Sequence, residues 1–427
     1  MERLQQISNQ LLSKSSAKND YTNKNPHDVV IVSAYRTALT KGGKGSFKDI
    51  NSDEILEKLL VNMFAKLPTF DKSLIEDVIV GNVLNPGAGV NEHRAAAIAS
   101  GVPSSVPFMA INRQCSSGLM AVNDVANKII AGQIRCGLAA GAESMSKNYG
   151  PQAAPNISAT VLNANKDAKN CLLPMGITSE NVNSLHNITR NDQDEFAAKS
   201  YQKAEKAVKE GLFKDEILSI EVQVEVENDN DEDEDDEDDE KPPSFKTIVV
   251  DTDEGPRANV TAQSLAKLKP AFKKDGSSHA GNASQVSDGA AAVLLMRRDM
   301  AESLKLPIVG KYIATTIIGV PPDIMGVGPA YAIPKLLTMC NLNKDDISVF
   351  EINEAFAGQA LFSIRHNNIP LEKVNPRGGA IALGHPLGCT GARQICTLLR
   401  QLKPGEFGVT SMCIGGGQGA AGLFVKE

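Results

Sequence analysis

Two stretches of this chain repeat one another at a spacing of 270 residues, and that repetition limits its possible folds more than any other feature. Cys115-Ser-Ser-Gly118 aligns with His385-Pro-Leu-Gly388, and Gly137-Leu-Ala-Ala-Gly-Ala-Glu143 falls at the same offset on Phe407-Gly-Val-Thr-Ser-Met-Cys413. Each turn is followed by a helical pattern and then a short strand. Two similar halves packed about a pseudo-twofold would bring both turns to one interface, with a cysteine on one turn and a histidine on the other. Short β-branched runs at 28–34, 78–83, 107–112 and 136–142 alternate with helical patterns at 52–67, 92–100 and 115–130. Ser52 and Asp53 are the expected caps of the first of these helices. The pattern resumes with strands at 290–296, 308–318, 347–352, 408–413 and 420–425 and helices at 330–340, 354–366 and 388–402. This alternation predicts an α/β fold with a mostly parallel sheet.

Between the halves, 143–270 reads as an insertion of polar loops that folds over the sheet, with helices at 178–185 and 192–210. Asn191 is the expected cap of the second, and Gly211 its stop. Within it, Glu225–Glu240 carries thirteen carboxylates and almost no apolar residue, which predicts a solvated, disordered loop. The tract also distorts the charge balance. The whole chain has 51 acidic and 44 basic residues, a net charge of −7; without the tract the acidic count is 51 less 13, or 38, and the rest is mildly basic. A basic body suits an anionic ligand. With 4% aromatics and no dense Lys/Arg stripe, nucleic acid is not the expected partner. No window offers the roughly 18 unbroken apolar residues of a membrane span.

Seven dispersed cysteines without a Cys-x-x-Cys suggest neither a zinc site nor a disulfide framework, and point to reduced thiols. Cys115 ends a strand and opens a helix, where free backbone N–H groups and the helix dipole favour a thiolate. Ser116, Ser117 and Gly118 beside it are small enough to leave room for a substrate. On its own a lone cysteine is more often buried packing than a nucleophile. At the N-terminus, Leu4, Ile7 and Leu11 recur at helical spacing, and Arg3-Leu4-x5-Gln10-Leu11 resembles the N-terminal peroxisomal targeting signal. A mitochondrial presequence would be richer in Arg and poorer in acids.

Three C-terminal segments complete the constellation: Asn353-Glu-Ala-Phe356 at the end of a strand, Gly384-His-Pro386 with Gly388, and Cys413-Ile-Gly415. The glycine run 415–419 lacks the Lys-Ser/Thr of a phosphate loop, so it is not read as an ATP site. With Gln114-Cys-Ser-Ser-Gly118 these segments resemble, in order, the four active-site motifs of the thiolase family. The resemblance runs from about residue 28 to the C-terminus and is closest to the yeast-type peroxisomal 3-ketoacyl-CoA branch. It implies a five-layered αβαβα thiolase fold of two similar halves. The expected organisation is a targeting segment at 1–27, a first half at 28–142, a loop domain covering coenzyme A at 143–270 and a second half at 271–427.

The resemblance further implies thiolytic cleavage of 3-ketoacyl-CoA in fatty-acid β-oxidation. Cys115 is then the nucleophile that carries the acyl group, His385 its base and Cys413 the acid and base at carbon 2. Asn353 would hold an oxyanion-binding water, and the Gly415 N–H would contribute to a second oxyanion site. Met175, Arg257, Ser264, Phe272, Ser284, Ala355 and Phe356 are the family positions expected to touch substrate or CoA. Coenzyme A enters as co-substrate, with no permanent cofactor and no metal. The expected partners are a second copy of the chain and the peroxisomal import receptor, and the expected location is the peroxisomal matrix. An acetoacetyl-CoA thiolase working in condensation would share the site. Pro174 before Met175, in place of the bulky residue of some short-chain relatives, favours a roomier acyl pocket. Decarboxylating ketosynthases use Cys-His-His, which Asn353 and Cys413 argue against. A non-catalytic scaffold built on the acidic tract would be expected to have lost these residues.

Overall fold

The computed structural model describes residue 18, residues 20–226 and residues 244–427. Arg3, Leu4, Gln10 and Leu11, and the acidic tract beyond residue 226, lie outside the described residues.

The first half is built on β1 (Val29–Arg36), β3 (Asp77–Gly81), β4 (Phe108–Ile111), β5 (Cys136–Ser144) and β8 (Ser287–Arg297), hydrogen-bonded in the order β4-β3-β5-β8-β1. A short β2 (Thr40–Lys41) pairs with β8. The second half uses β9 (Gly310–Gly319), β10 (Ile347–Ile352), β11 (Phe407–Ile414) and β12 (Gln418–Lys426), in the order β10-β11-β12-β9. A parallel bridge from Phe350 to Val374 stands where a third strand would complete that order. Counted within each half, the strand sequence is then third, second, fourth, fifth, first in both. β1 and β9 pair antiparallel through Val30–Lys311 and Ile31–Gly310, so the two sheets join edge to edge.

The expectation of a mostly parallel sheet is corrected. The β3–β4, β3–β5 and β10–β11 ladders are parallel, whereas β1–β8, β5–β8, β11–β12, β9–β12 and β1–β9 are antiparallel. The cause is that β11 turns straight into β12 through Gly415–Gly417, with Gly416 and Gly417 in left-handed conformation, while β8 returns from the insertion against β5. Neither connection is a helical crossover. The boundary expected at residue 271 also moves. β8 is hydrogen-bonded between β1 and β5, so the first half closes only at residue 297.

The helices α1 (Ser52–Ala65) and α2 (Val90–Ala99) cover the outer face of the first half. Helices α3 (Ser117–Ile130) and α8 (Thr390–Leu399) lie between the two sheets, and α6 (Gly328–Met339) with α7 (Ala357–His366) covers the second half. The result is five layers, α-β-α-β-α. α3 and α8 are enclosed by sheet on two sides, and every residue of α8 is buried, including Arg393 and Gln394. The two central helices meet at glycines: a Cβ on Gly391 would stand 2.3 Å from the Leu119 nitrogen, and one on Gly118 would stand 2.7 Å from the Gly388 carbonyl oxygen. Only hydrogen fits at such an approach.

The insertion carries α4 (Met175–Leu185), α5 (Arg190–Lys209) and an antiparallel ribbon of β6 (Ile220–Val226) and β7 (Ser244–Val250) that the sequence reading missed. Its exposed face alternates charged with apolar residues and is flanked by the carboxylate run, which masked the strand signal. Two caps differ from expectation. Helix α5 is capped by Thr189 in a capping box with Asp192, not by Asn191, whose amide instead reaches Glu195. Helix α1 begins after Asn51 without a side-chain cap, because the buried Ser52 hydroxyl is engaged by His93 Nε2 at 3.0 Å. Gly211 does end α5, in left-handed conformation. No described helix is long and apolar enough to cross a membrane.

Candidate active site

Four chain segments converge where α3 and α8 start. Cys115 sits on the elbow between β4 and α3. Gln114 before it is left-handed, with φ of 48°, a strained state for a residue with a side chain. Its surroundings hold it there. The Ser117 hydroxyl donates to the Gln114 carbonyl (2.6 Å) and accepts from the Arg113 N–H (2.9 Å), and Ser116 Oγ donates to the Arg113 carbonyl (2.9 Å). The two serines are fully buried; they lock the elbow and do not clear space for a substrate, as their small size had suggested.

The thiol also differs from expectation. Helix α3 starts only at Ser117, and burial, not the helix end, dominates the thiol's ionisation. The Cys115 pKa is pushed up to about 11 by desolvation, against the N–H groups of Gly415 and of Cys115 itself, which favour the thiolate. Those two N–H groups converge on the sulfur. Cys413, fully buried near the end of β11, is likewise pushed up by burial, with Cys115 as the next cause. The two thiols are thus close enough to act on one another electrostatically.

His385 follows Gly384, whose φ of 112° is a glycine conformation. It hydrogen-bonds to Thr390 and Asn353 and not to Cys115. Nδ1 lies 2.6 Å from Thr390 Oγ1, and Nε2 lies 3.3 Å from Asn353 Nδ2. The tautomer follows from counting protons. Thr390 has one hydroxyl hydrogen and donates it to the Pro386 carbonyl at 2.9 Å. Nδ1 must therefore carry the imidazole proton and donate to Thr390 Oγ1, which leaves Nε2 as the basic nitrogen. Burial, aided by the Arg393 charge, lowers the His385 pKa to about 3. At neutral pH thiol and imidazole are therefore both uncharged. Asn353 directly follows β10, and its Oδ1 is buried with no partner among the described residues.

Behind Cys413 lies a small apolar cluster of Ala283, Met325, Ala355 and Phe356, separate from the main core. Ser284 joins it through its N–H to the Ala355 carbonyl (2.9 Å). Phe272 joins edge-on to Phe356, with ring centroids 5.8 Å apart. The Phe272 ring also lies over Gly176, where a Cβ would stand 2.1 Å from it, and so adjoins Met175 at the start of α4. The structure thus gathers Met175, Phe272, Ser284, Ala355 and Phe356 on the Cys413 side. Arg257 and Ser264 stand apart from this cluster. Both are exposed, and Ser264 spends its hydroxyl capping the short helix Ala262–Leu265.

Sequence reasoning missed Thr390, Met325 and two buried carboxylates. Glu354, inside the Asn353–Phe356 motif, accepts from Ser200 Oγ (2.6 Å), Asn375 Nδ2 (2.7 Å) and the Ile381 N–H (3.3 Å), tying α5 to the strand end that carries Asn353. Glu143 accepts from the Gly388 N–H, three residues after His385. Glu143 had a signal, since the repeat places it opposite Cys413; Met325, inside an irregular loop, had none.

The similarities to known proteins agree with this geometry. Residues 29–299 match the thiolase N-terminal domain and residues 306–426 the thiolase C-terminal domain. Over 428 residues, all of both chains, the sequence is 57% identical to a peroxisomal 3-ketoacyl-CoA thiolase A of Candida tropicalis. It is 55% identical over 437 residues, again all of both chains, to the peroxisomal 3-ketoacyl-CoA thiolase of Saccharomyces cerevisiae. The crystal structure of the dimeric peroxisomal thiolase of Saccharomyces cerevisiae superposes with a TM-score of 0.88 at 56% identity, covering 96% of this chain and 100% of that one. An Ascaris suum thiolase in complex with coenzyme A superposes with a TM-score of 0.79 at 33% identity, covering 94% of this chain and 100% of that one. The chain belongs to the thiolase family.

Proposed function

We propose that this protein is a 3-ketoacyl-CoA thiolase, which uses coenzyme A to split 3-ketoacyl-CoA into acetyl-CoA and an acyl-CoA two carbons shorter, in peroxisomal β-oxidation. The observation that carries the reading is the meeting of Cys115, Cys413 and the Gly415 N–H at one point, together with a buried imidazole whose unprotonated Nε2 is held by the Asn353 amide at 3.3 Å.

Because thiol and imidazole are neutral at rest, the thiolate forms as it attacks. His385 Nε2 takes the Cys115 proton while sulfur bonds to the 3-keto carbon. The bond between carbons 2 and 3 breaks, and its electron pair stays on carbon 2 of the leaving acetyl-CoA. Cys413 donates its proton there. A thiol whose pKa is raised by burial holds its proton until such a carbanion needs it. Coenzyme A then enters, Cys413 takes its thiol proton, and the CoA thiolate attacks the Cys115 thioester. The shortened acyl-CoA leaves, and the His385 imidazolium returns its proton to Cys115. The N–H groups of Cys115 and Gly415, which lie at the sulfur, face the 3-keto oxygen that becomes the oxygen of the Cys115 thioester. A water on the unpartnered Asn353 Oδ1, with protonated His385, faces the thioester oxygen of the leaving acetyl-CoA, which shares the carbanion charge. Donors fixed in place in this way contribute about 3 to 4 kcal/mol each in comparable sites. The Cys413-side cluster with Met175 and Phe272 lines the path of the pantetheine and acyl chain, and Arg257 and Ser264 bind the nucleotide end. No permanent cofactor is required.

The peroxisomal names and dimeric structure of the full-length relatives support a peroxisomal homodimer, brought in by an import receptor through Arg3, Leu4, Gln10 and Leu11. The same names favour degradation over acetoacetyl-CoA condensation. Steady-state thiolysis of acetoacetyl-CoA and of a long-chain 3-ketoacyl-CoA tests the reading. Both should turn over, and Cys115→Ala should abolish both. Activity confined to acetoacetyl-CoA would assign the protein to the short-chain reaction instead.

A further inference from the structure

The pseudo-twofold that pairs Cys115 with His385 also pairs Glu143 with Cys413, and it places Asn82 after β3 where Asn353 follows β10. The second copy of the site has thus exchanged its thiol for a carboxylate. We propose that Asn82 and Glu143 form an anchor that positions the His385 turn, with Glu143 a positioning residue for the thiolase reaction.

Glu143 is fully buried, at the end of β5. Its Oε2 accepts the N–H of Gly388 (2.9 Å) and of Val83 (3.0 Å); its Oε1 accepts Asn82 Nδ2 (3.0 Å) and the Leu84 N–H (3.2 Å). Four donors on one carboxylate, with no cation among them, form a site built from oriented dipoles. One donor belongs to the His385 turn and three to the first half, so the carboxylate clamps the two halves where the nucleophile and its base must meet. The fit around it is tight. A Cβ on Gly388 would stand 2.7 Å from Asn82 Cα and 3.0 Å from Glu143 Oε2, and one on Gly141 would stand 2.2 Å from the Gly388 carbonyl oxygen. The His385–Thr390 hydrogen bond that fixes the tautomer spans this same turn. Losing the Gly388 contact therefore releases His385 without touching it.

The anchor also has a proton condition. Only the ionised carboxylate can accept all four bonds, and burial raises its pKa to about 7. The titratable groups it faces are the thiols of Cys115 and Cys389, which its carboxylate charge raises further. Burial pushes both well above the ordinary thiol range, so neither titrates between pH 6 and 8.

The inference rests on the reading of His385 as the base. Its test is Glu143→Gln in the full-length enzyme. Glutamine keeps the volume and one acceptor oxygen, but turns an NH2 toward one of the two donor pairs, Gly388 and Val83 or Asn82 and Leu84, so the four-bond clamp is broken either way. We expect kcat for thiolysis to fall roughly 100-fold, the scale of a misplacement of about 1 Å. KM should stay within about threefold, and iodoacetamide should still label Cys115 in the folded fraction. In the wild type kcat should decline below about pH 7, and in the variant that limb should vanish. Wild-type kcat in Glu143→Gln, or a wild-type profile flat from pH 6 to 8, would overturn the anchor; the second result needs no variant to fold. His385→Ala separates the two ideas. Loss there with an active Glu143→Gln sinks only the anchor, whereas full activity in both sinks the site reading as well.

Discussion

Thr390 shows how much of the chemistry depends on a residue that meets no substrate in the proposed mechanism. Its single hydroxyl proton, committed to Pro386, forces the His385 proton onto Nδ1. Thr390→Val keeps the shape and removes the acceptor, and either tautomer of His385 then becomes accessible. We expect kcat to drop about 10- to 100-fold, the range for loss of a group that orients a catalytic histidine, with KM for both substrates little changed. Pre-steady-state formation of the acyl-enzyme would locate the defect in the first half-reaction. The ionisation of Cys115 gives a second expectation. A preformed thiolate–imidazolium pair would react with iodoacetamide at a constant rate from mildly acid to alkaline pH. With the thiol raised to about 11 and the imidazole lowered to about 3, the rate should instead climb about tenfold per pH unit through pH 8 and 9. A plateau there would show that the pair is ionised at rest. Cys115, His385, Asn353 and Cys413 were picked out in the sequence by the resemblance of their four motifs to those of the thiolase family. Their protonation states could not be read there, since these are set by burial, and burial is a property of the assembled layers. The helix-end argument for a thiolate was sound physics overruled by a larger desolvation cost.

At the scale of elements, strand and helix positions were legible wherever the apolar period was clean, and the ends and partners were not. Asn191 and Thr189 are both good caps, and the choice between them fell to Asp192, which completes a box only with Thr189. Pairing direction depends on the connections, which is why a β-α alternation suggested a more parallel sheet than the one that formed. The β6–β7 ribbon is the most testable of the missed elements. Val226 pairs directly with Ser244, so the two strand ends face each other across one ladder rung. Replacing residues 227–243 with Asn-Gly would close the ribbon with a two-residue turn suited to its twist. Thiolysis rates should remain within about twofold of the parent and the urea midpoint should not fall, because a shorter connection costs less entropy to close. A large loss of activity would instead assign the acidic tract a part in the site.

For the whole molecule, the question is what holds the insertion against both halves so that residues from all three parts can meet at one site. The buried Arg36 at the end of β1 answers it. Its guanidinium donates to Glu216 Oε1 (2.6 Å), before the ribbon, and to both carboxylate oxygens of Asp253 (2.6 and 2.9 Å), after it. Glu216 Oε1 also accepts from Thr397 on α8 (2.8 Å), and Asp253 accepts the Leu39 N–H (2.8 Å). One fully buried cation thus ties the first half to both roots of the insertion and, through Glu216, to the central helix of the second half. Burial alone would lower its pKa, but Asp253 and Glu216 outweigh that and hold it above the ordinary arginine range, so the charge persists at every accessible pH. Such a pair is poor evidence of net stabilisation, yet removing one partner strands the others without compensation. Arg36→Met should therefore destabilise the protein by about 3 to 5 kcal/mol, read as a shift in the urea midpoint. The damage should not stop at stability. With Asp253 left without a cation and Glu216 holding only its longer contact to Arg377 (3.5 Å), the insertion should loosen first, so KM for coenzyme A should rise at temperatures where the variant is still folded. A variant that lost stability with an unchanged KM for coenzyme A would show that the insertion is seated by its helices and that the ionic cluster only fills the seam.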